Sequence, residues 1–566
     1  MNKIIGALGV MMLCSCSGGY RAIVLDAGAE PDSLTVKACG IFRRSVTEKA
    51  GTDLFASSGK TLYISLENGT GDLPDEGFEI VRDGNRVTVR ASGSKGMLYG
   101  LGHILHRSEL VGGCFIPGRI EGRSVPSKPV RGIYLATHFH NWYHEAPIEE
   151  VKTYIEDLAL WGYNSLMVWF DMHHFTGIDD PAAQAMLDRL ASLLKLGQQV
   201  GMTSGIGVLA NEGYKTTPEA MRAERVPWTG FYGCEICPSK PGGSELIVRQ
   251  QAEEIDAFRS RGVNIGNLWL WPYDQGGCLC PDCSPWGANG FLRITKQLST
   301  MIREKLPDTR LIMSTWLFDF EEQDKGEWRG LAEAFENERP WVDCLLADSH
   351  TEYPGWPLKH PAPGGLPLLN FPEISMWRFH PWGGYGANPQ PERFERLFRE
   401  ASGIIDGGFP YSEGIFEDFN KILYSRFYWD PETSAEAAMR EYVAYYFSRR
   451  YADEIMKAIR IIEKNQGYKA YNWRRDPDLG KDVEIQVPDS GAAEAFDLIR
   501  KVDSHLPGTV KTGWRWRLLY LRAMLDVELR RSGGVITAEI NAAMREIITL
   551  CHLEQADFSV RPPVVD

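Results

Sequence analysis

The sequence predicts an α/β fold: a (β/α)8 TIM barrel with a small N-terminal α/β domain and a helical C-terminal domain. Three observations carry this expectation. Between residues 130 and 412, eight short apolar strand runs alternate with amphipathic helical runs. None of these strands leads into the glycine fingerprint that opens a helix in a doubly wound nucleotide-binding sheet. Outside that stretch the pattern changes, to strands and one helix before it and to helices after it.

The first residues read as an address. Lys3 gives a short basic start, residues 4–13 are apolar, and Leu13-Cys14-Ser15-Cys16 resembles the lipobox cut before a lipidated cysteine. Residues 1–19 are therefore expected to be a lipoprotein signal peptide and leader with Cys16 lipidated, the alternative being an ordinary cleaved signal. The expected location is a bacterial cell envelope, lipid-anchored at the outer membrane or in the periplasm. Residues 20–127 form the N-terminal domain, in which Phe78-Glu79-Ile80-Val81, a turn at Asp83-Gly84-Asn85 and Val87-Thr88-Val89 make a hairpin pattern. Residues 96–105 then place apolar side chains at helical spacing.

The barrel is expected over residues 128–430. Its first strand is 132–136, followed by a helix with Val151, Tyr154, Ile155, Leu158 and Trp161 on one face, then by strand 165–170. The cycle returns in helix 182–200 with strand 203–210, helix 245–261 with strand 264–271, and helix 290–306 with strand 310–316. Helix 327–338 precedes strand 343–348, strand 366–371 follows, and helix 391–404 leads to strand 408–412. The sixth helix is missing from this pattern, because 351–365 is rich in Pro and Gly. From 431 to 566 the chain reads as helical, with Thr433-Ser434 capping the first helix and further patterns at 514–531 and 537–550.

Composition narrows the partners. A formal charge of -14 without a compensating Lys/Arg stripe argues against nucleic acid. No apolar run after the N-terminus approaches the roughly 18 to 20 residues that cross a bilayer, so the only expected membrane contact is the lipid anchor. The chain holds 17 Trp and 22 Tyr, more than a core alone requires, and such rings offer flat faces to ligands, sugars among them.

A barrel puts its site at the C-terminal ends of its strands, so the polar residues just beyond each strand are the candidates. They are His138, His140, Asn141, Trp142 and His144 after strand one; Asp171, His173 and His174 after strand two; Asn211 and Glu212 after strand three. Strand four delivers Trp271, Tyr273 and Asp274, strand five Trp316 and Asp319, and strand six Asp348 and His350. Strand seven delivers Glu373 and Trp377, and strand eight Tyr411, Ser412 and Glu413. Carboxylates mixed with tryptophans suit glycoside hydrolysis, in which one acid protonates the leaving oxygen and a second group attacks or activates water. Asp274, Glu373 and Glu413 are the expected catalytic acids. His138, His140, Asn141, Trp142, Asp171, Trp271, Tyr273, Trp316, Asp348, Trp377 and Tyr411 are the expected substrate contacts. Glu417 and Asp418 read as a solvated helix start. The His138-x-His140 pair has the spacing of a first metal site in amidohydrolases, but that reading needs partners after strands five and six, where only His350 could serve.

Residues 60–110 resemble the small α/β domain that precedes the barrel in family 20 hexosaminidases and family 67 α-glucuronidases. The stretch from Leu270-Trp271-Pro272-Tyr273-Asp274 to Cys280-Pro281-Asp282-Cys283, with Cys234-Glu235-Ile236-Cys237 before it, resembles family 163 endo-β-N-acetylglucosaminidases and their relatives. So does the region from Tyr424 to Trp429 with Asp430-Pro431. The resemblance implies a glycosidase over about 60–450, acting on a carbohydrate such as an N-acetylhexosaminide or uronide. It departs from family 20, where an Asp-Glu pair follows strand four, since Gln275 follows Asp274 here. The alternatives are a catalytically inactive glycan-binding lipoprotein and a metal-dependent hydrolase.

Cysteines at 234 and 237 and at 278, 280 and 283 have the spacing of a four-thiolate zinc site, and Cys234, Cys237, Cys280 and Cys283 are the expected ligands. The rival is a pair of disulfides, as in many exported proteins. Such a zinc would be structural, and no cofactor is expected for catalysis. Cys39, Cys114, Cys344 and Cys551 read as small buried residues, with a disulfide between the first two as an alternative.

Overall fold

A computed structural model describes residues 18–69, 72–226, 232–273, 276–319, 325–349, 352–375, 385–466, 488, 491–556, 561–562 and 564. Cys16, Asp274, His350 and Trp377 lie outside the described residues. The chain divides into two compact units, one up to Val125 and one from Pro126.

The first unit holds a five-stranded sheet in the order Ala22–Asp26, Thr61–Asn68, Arg86–Ala91, Phe78–Asp83, Gly122–Ser124. The first three strands run parallel, and Phe78–Asp83 is antiparallel to both its neighbours. The expected hairpin is thus present. Helix Ser33–Ala50 is capped by Asp32, which accepts from Thr35 N at 2.7 Å. Helix Ser94–Arg107 approaches the sheet closely because Gly100 lacks a side chain, and a Cβ there would lie 2.5 Å from Val89. Cys39 is a free thiol while Cys114 is disulfide-bonded, so the two do not pair with each other.

The second unit is built on a closed parallel barrel. Its strands are Val130–Leu135, Ser165–Trp169, Thr203–Leu209, Asn267–Trp271, Arg310–Ser314, Cys344–Ser349, Leu368–Pro372 and an eighth in two pieces, Gly407–Gly408 and Tyr411–Ser412. The eighth closes the ring on the first through Gly407↔Val130 and Tyr411↔Tyr134. Its interruption falls at Pro410, which has no N–H for the ladder. Strands one, two and four are buried at every residue, as expected for parallel strands covered on both faces.

Large rings fill the barrel. Trp269 lies 5.1 Å from Tyr134, 5.6 Å from Phe371 and 5.1 Å from Phe409, ring centre to ring centre. Trp271 stands 4.9 Å from Phe371, 5.5 Å from Trp316 and 5.8 Å from Trp169. Gly207 makes room for two of these indoles, since a Cβ there would come within 3.1 Å of Trp169 and 3.3 Å of Trp269.

Helices follow the strands as the periodicity predicts: Ile148–Leu160, Pro181–Gln199, Gly243–Ser260, Gly290–Lys305, Glu327–Asn337 and Pro391–Ala401, with Asp418–Trp429 after strand eight. In the sixth position stand only the short helix Gly355–Lys359 and a turn of 3-10 helix at Pro363–Gly365. The C-terminal helices Ala435–Val443, Ala452–Asn465, Ala492–Asp503, Trp514–Ser532 and Ala538–Leu550 belong to the same compact unit as the barrel. Contacts across that expected boundary explain this. Trp161 packs against Tyr442 and Tyr445 and donates to the Tyr446 hydroxyl at 2.9 Å, while Arg515 donates to Asp418 at 2.8 Å and pairs with Asp157 at 3.0 Å.

Candidate active site at the barrel mouth

Strand alternation sends Tyr134, Trp169, Trp271, Phe371 and Tyr411 into the barrel, so the residues two positions further along reach its C-terminal mouth. His138 occupies the centre. Its Nδ1 is 2.5 Å from the Tyr134 hydroxyl, and its ring lies 5.8 Å from both Trp169 and Tyr411. Burial, with the nearby imidazoles of His173 and His174, pushes His138 down to about 3, so the ring is neutral at ordinary pH.

On one side, strands two and three present Asp171 and Glu212. Glu212 accepts from the backbone N of His173 at 3.1 Å, and its carboxylate meets His173 Nδ1 at 2.9 Å. His174 Nε2 stands 3.7 Å from Asp171, and the His173 ring stacks on Tyr232. A small cavity opens here, lined by His138, Trp169, Asp171, Glu212, Tyr232 and Tyr273. Tyr273 is held by the Glu327 carboxylate, to which its hydroxyl donates, and Glu327 also accepts from Gly287 N at 2.8 Å.

Strands seven and eight present Glu373 and Glu413, 2% and 3% exposed. Glu373 is bridged through its backbone to Tyr411, whose hydroxyl donates to Glu413 at 3.0 Å. Burial, then the charges of Glu413 and Glu373, push the Tyr411 phenol well above its ordinary range, so it stays protonated and remains a donor. In a ring of eight strands those four places apart face each other, so strand three stands across the mouth from strand seven and strand four from strand eight. Glu212 and Glu373 therefore project from opposite walls. Glu212 belongs to the rim set of the sequence but not to its expected acids.

Behind Glu413 lies a buried ionic network. Glu417 accepts from Ser412 Oγ at 2.5 Å and from Gly414 N at 3.1 Å, and pairs with Lys421 at 3.2 Å. Asp418 accepts from Tyr154 at 2.8 Å, Tyr442 at 2.6 Å and Arg515 at 2.8 Å. The solvated helix start expected at Glu417 and Asp418 is thus corrected: both are buried, because cations from two helices neutralise them in place.

Several sequence candidates serve the fold. Asn141 donates to Ala136 O at 2.8 Å and accepts from Tyr143 N at 3.0 Å, capping helix Trp142–Glu145. Trp142 is buried edge-on against Tyr143 and Tyr154. Trp271 and Trp316 belong to the barrel's aromatic packing, and Asp319 caps helix Glu327–Asn337 by accepting from Glu327 N at 3.1 Å and Trp328 N at 3.2 Å. His140 turns away from His138 and bonds Glu145, so the two imidazoles of the H-x-H pair diverge. Asp348 is half-buried beside Tyr353, and its charge helps raise that phenol. Among the described residues, the side chains that group with metal-ligand proximity at the mouth are Asp171, His173 and His174.

The cysteine cluster differs from the expected set. The thiols of Cys237, Cys278, Cys280 and Cys283 come together, and Cys234 stands apart. Ile236, between Cys234 and Cys237, is bridged to Arg222, and of the two cysteines beside it only Cys237 joins the group. Burial, then Glu235 and Glu212, push the Cys234 thiol up to about 12. All five cysteines are free thiols, so the disulfide alternative is not realised.

In comparison with known proteins, no family model and no curated sequence matches this chain. Solved structures do. A GH138 enzyme targeting pectin rhamnogalacturonan II superposes with a TM-score of 0.56 at 10% identity, over 95% of this chain and 94% of that one. A family GH115 4-O-methyl-α-glucuronidase with specificity for decorated arabinogalactans gives 0.58 at 10% identity, over 94% and 76%. The Flavobacterium johnsoniae chitobiase of GH20 gives 0.50 at 13% identity, over 96% and 95%. At such identities the likeness is one of fold. That fold, barrel included, is one that glycoside hydrolases have.

Proposed function

We propose that this chain is a glycosidase hydrolysing O-glycosidic bonds of a glycan, an N-acetylhexosaminide or a uronide, at the mouth of its barrel. The observation that carries this reading is the set of buried carboxyl groups brought to that mouth, Glu212 and Glu373 from opposing walls and Asp171 and Glu413 from the strands on either side of strand one. Glycoside hydrolysis needs one protonated carboxyl at the leaving oxygen and a second carboxylate that attacks carbon or activates water. Glu373 or Glu413 supplies one partner. Glu212, beyond strand three, or Asp274, which follows strand four in the sequence, supplies the other. His138, neutral and fixed by Tyr134, can meet a sugar hydroxyl through Nε2, and Tyr273 and Tyr232 supply wall. Cys16 anchors the enzyme to the envelope of a bacterium, where its glycan arrives from outside.

The test is turnover of a panel of aryl glycosides and N-glycans, followed by proton NMR of the first anomer released. Retention matches carboxyl groups about 5 to 5.5 Å apart, and inversion matches about 6.5 to 9.5 Å. Glycan binding without turnover across the panel would replace the glycosidase by an inactive glycan-binding lipoprotein.

A further inference from the structure

We propose that Cys237, Cys278, Cys280 and Cys283 hold one zinc ion in a closed four-thiolate site that staples the loop after strand three to the loop after strand four. The geometry points to it directly. A tetrahedron with metal–sulfur bonds of about 2.3 Å has sulfur–sulfur edges of about 3.8 Å. The Cys237 thiol stands 3.7 Å from Cys280 and 3.9 Å from Cys283, and the ligand atoms of all four lie within 4.8 Å of one another. A disulfide would draw a pair to about 2.0 Å. Each of the four side chains is buried.

Local backbone aims the thiols. Cys278 and Cys280 are two residues apart on irregular chain, and Cys280-Pro281-Asp282-Cys283 is a tight turn closed by Cys283 N donating to Cys280 O at 2.9 Å. The surroundings suit the charge. Four thiolates around a divalent ion carry a net charge of about -2, which outer hydrogen bonds must support. Glu224 N donates to the Cys278 sulfur at 3.4 Å, the Ser239 hydroxyl lies 3.1 Å from the Cys283 sulfur, and the Arg293 guanidinium donates to that hydroxyl at 2.6 Å. With four protein ligands the ion has no open position, so it is structural.

The staple bears on the barrel mouth. The loop after strand three carries Glu212 and Tyr232, and the loop after strand four leaves from Tyr273, all three lining the same cavity. Asn211 already joins the loops, donating to Ile236 O at 3.1 Å and to Gly277 O at 3.0 Å. A metal bound 26 residues past Asn211, at Cys237, fixes the far end of the segment that Asn211 begins.

The test is independent of any glycan. Full-length protein purified without chelator should contain about one equivalent of zinc by plasma mass spectrometry. Cys278→Ser should lose most of it and Cys234→Ser should retain it, the reverse of what the spacing of the sequence implies. Because Cys278→Ser could fail to fold, the wild-type protein is also exchanged with cobalt(II), which should give sulfur-to-metal charge-transfer absorption and tetrahedral d–d bands. Metal-free wild-type protein with four titratable thiols, disulfides at these positions, iron in place of zinc, or zinc lost equally from Cys234→Ser would each overturn the proposal.

Discussion

Glu413 and Glu417 follow the same strand, and both are hidden from solvent, 3% and 0% exposed. Glu417 is paired with Lys421, and its neighbour Asp418 with Arg515. Lys421 also donates to the Tyr154 hydroxyl at 2.6 Å and to Gly414 O, so this cation is woven into the loop that carries Glu413. At the mouth the partners are of another kind: a phenol for Glu413, and imidazoles for Asp171 and Glu212. Lysine and arginine bring a full positive charge and fixed hydrogen bonds to a buried carboxylate, whereas a phenol brings only a hydrogen bond. On the proposed reading the lower cluster is scaffold and the upper one holds the candidate acids, although sequence distance and burial do not separate them.

The largest expected effect is on the scaffold. Lys421→Met keeps the length of the side chain but leaves Glu417 buried without its cation, which should cost about 3–5 kcal/mol. Chemical denaturation should show the loss as a lowered midpoint. An unchanged midpoint would remove the distinction drawn between the two clusters.

Next comes the mouth, where the amides Glu373→Gln, Glu413→Gln and Glu212→Gln keep volume and remove the proton. At least one should lower kcat by roughly a hundredfold or more, about 2.7 kcal/mol of barrier, on the first confirmed substrate. Thermal midpoints should not fall far below that of the parent, since each amide keeps the volume of the acid and active sites are commonly held at a cost in stability. If all three amides and Asp274→Asn turn over normally, the acids lie elsewhere and Asp171 and Asp348 are the next to test.

What the sequence makes legible follows from which forces act locally. Periodicity marks the barrel strands within a few residues because parallel strands buried on both faces are continuously apolar, as in Asn267–Trp271. The rim positions follow from topology in turn. Which rim residue faces the cavity does not, because it depends on loop geometry: Asn141 looks like a sugar ligand and is a helix cap, and Trp316 looks like a platform and is core. The same limit exchanges Cys278 for Cys234, since motif spacing alone does not say which thiols the loops bring together. Glu417 and Asp418 read as solvated because their cations come from elsewhere, Lys421 one turn on and Arg515 far along the chain.

The smallest expected effect concerns the imidazoles beside the mouth and separates them from both carboxylate clusters. Burial holds His138 and His144 down to about 3, against an unfolded value near 6.5. Between those two values the unfolded chain binds a proton at each ring that the folded chain does not, so stability falls as pH falls below about 6.5 and is retained above it. Each ring contributes at most about 1.4 kcal/mol per pH unit, and less for the solvent that reaches its half-buried edge. Denaturation midpoints measured from pH 7 to pH 5 should therefore decline in the parent and decline less in His144→Phe, which removes one of the two protons taken up on unfolding. A slope unchanged by His144→Phe would mean that groups other than this buried imidazole govern the acid sensitivity of the fold, and the distinction drawn for the imidazoles beside the mouth would fall.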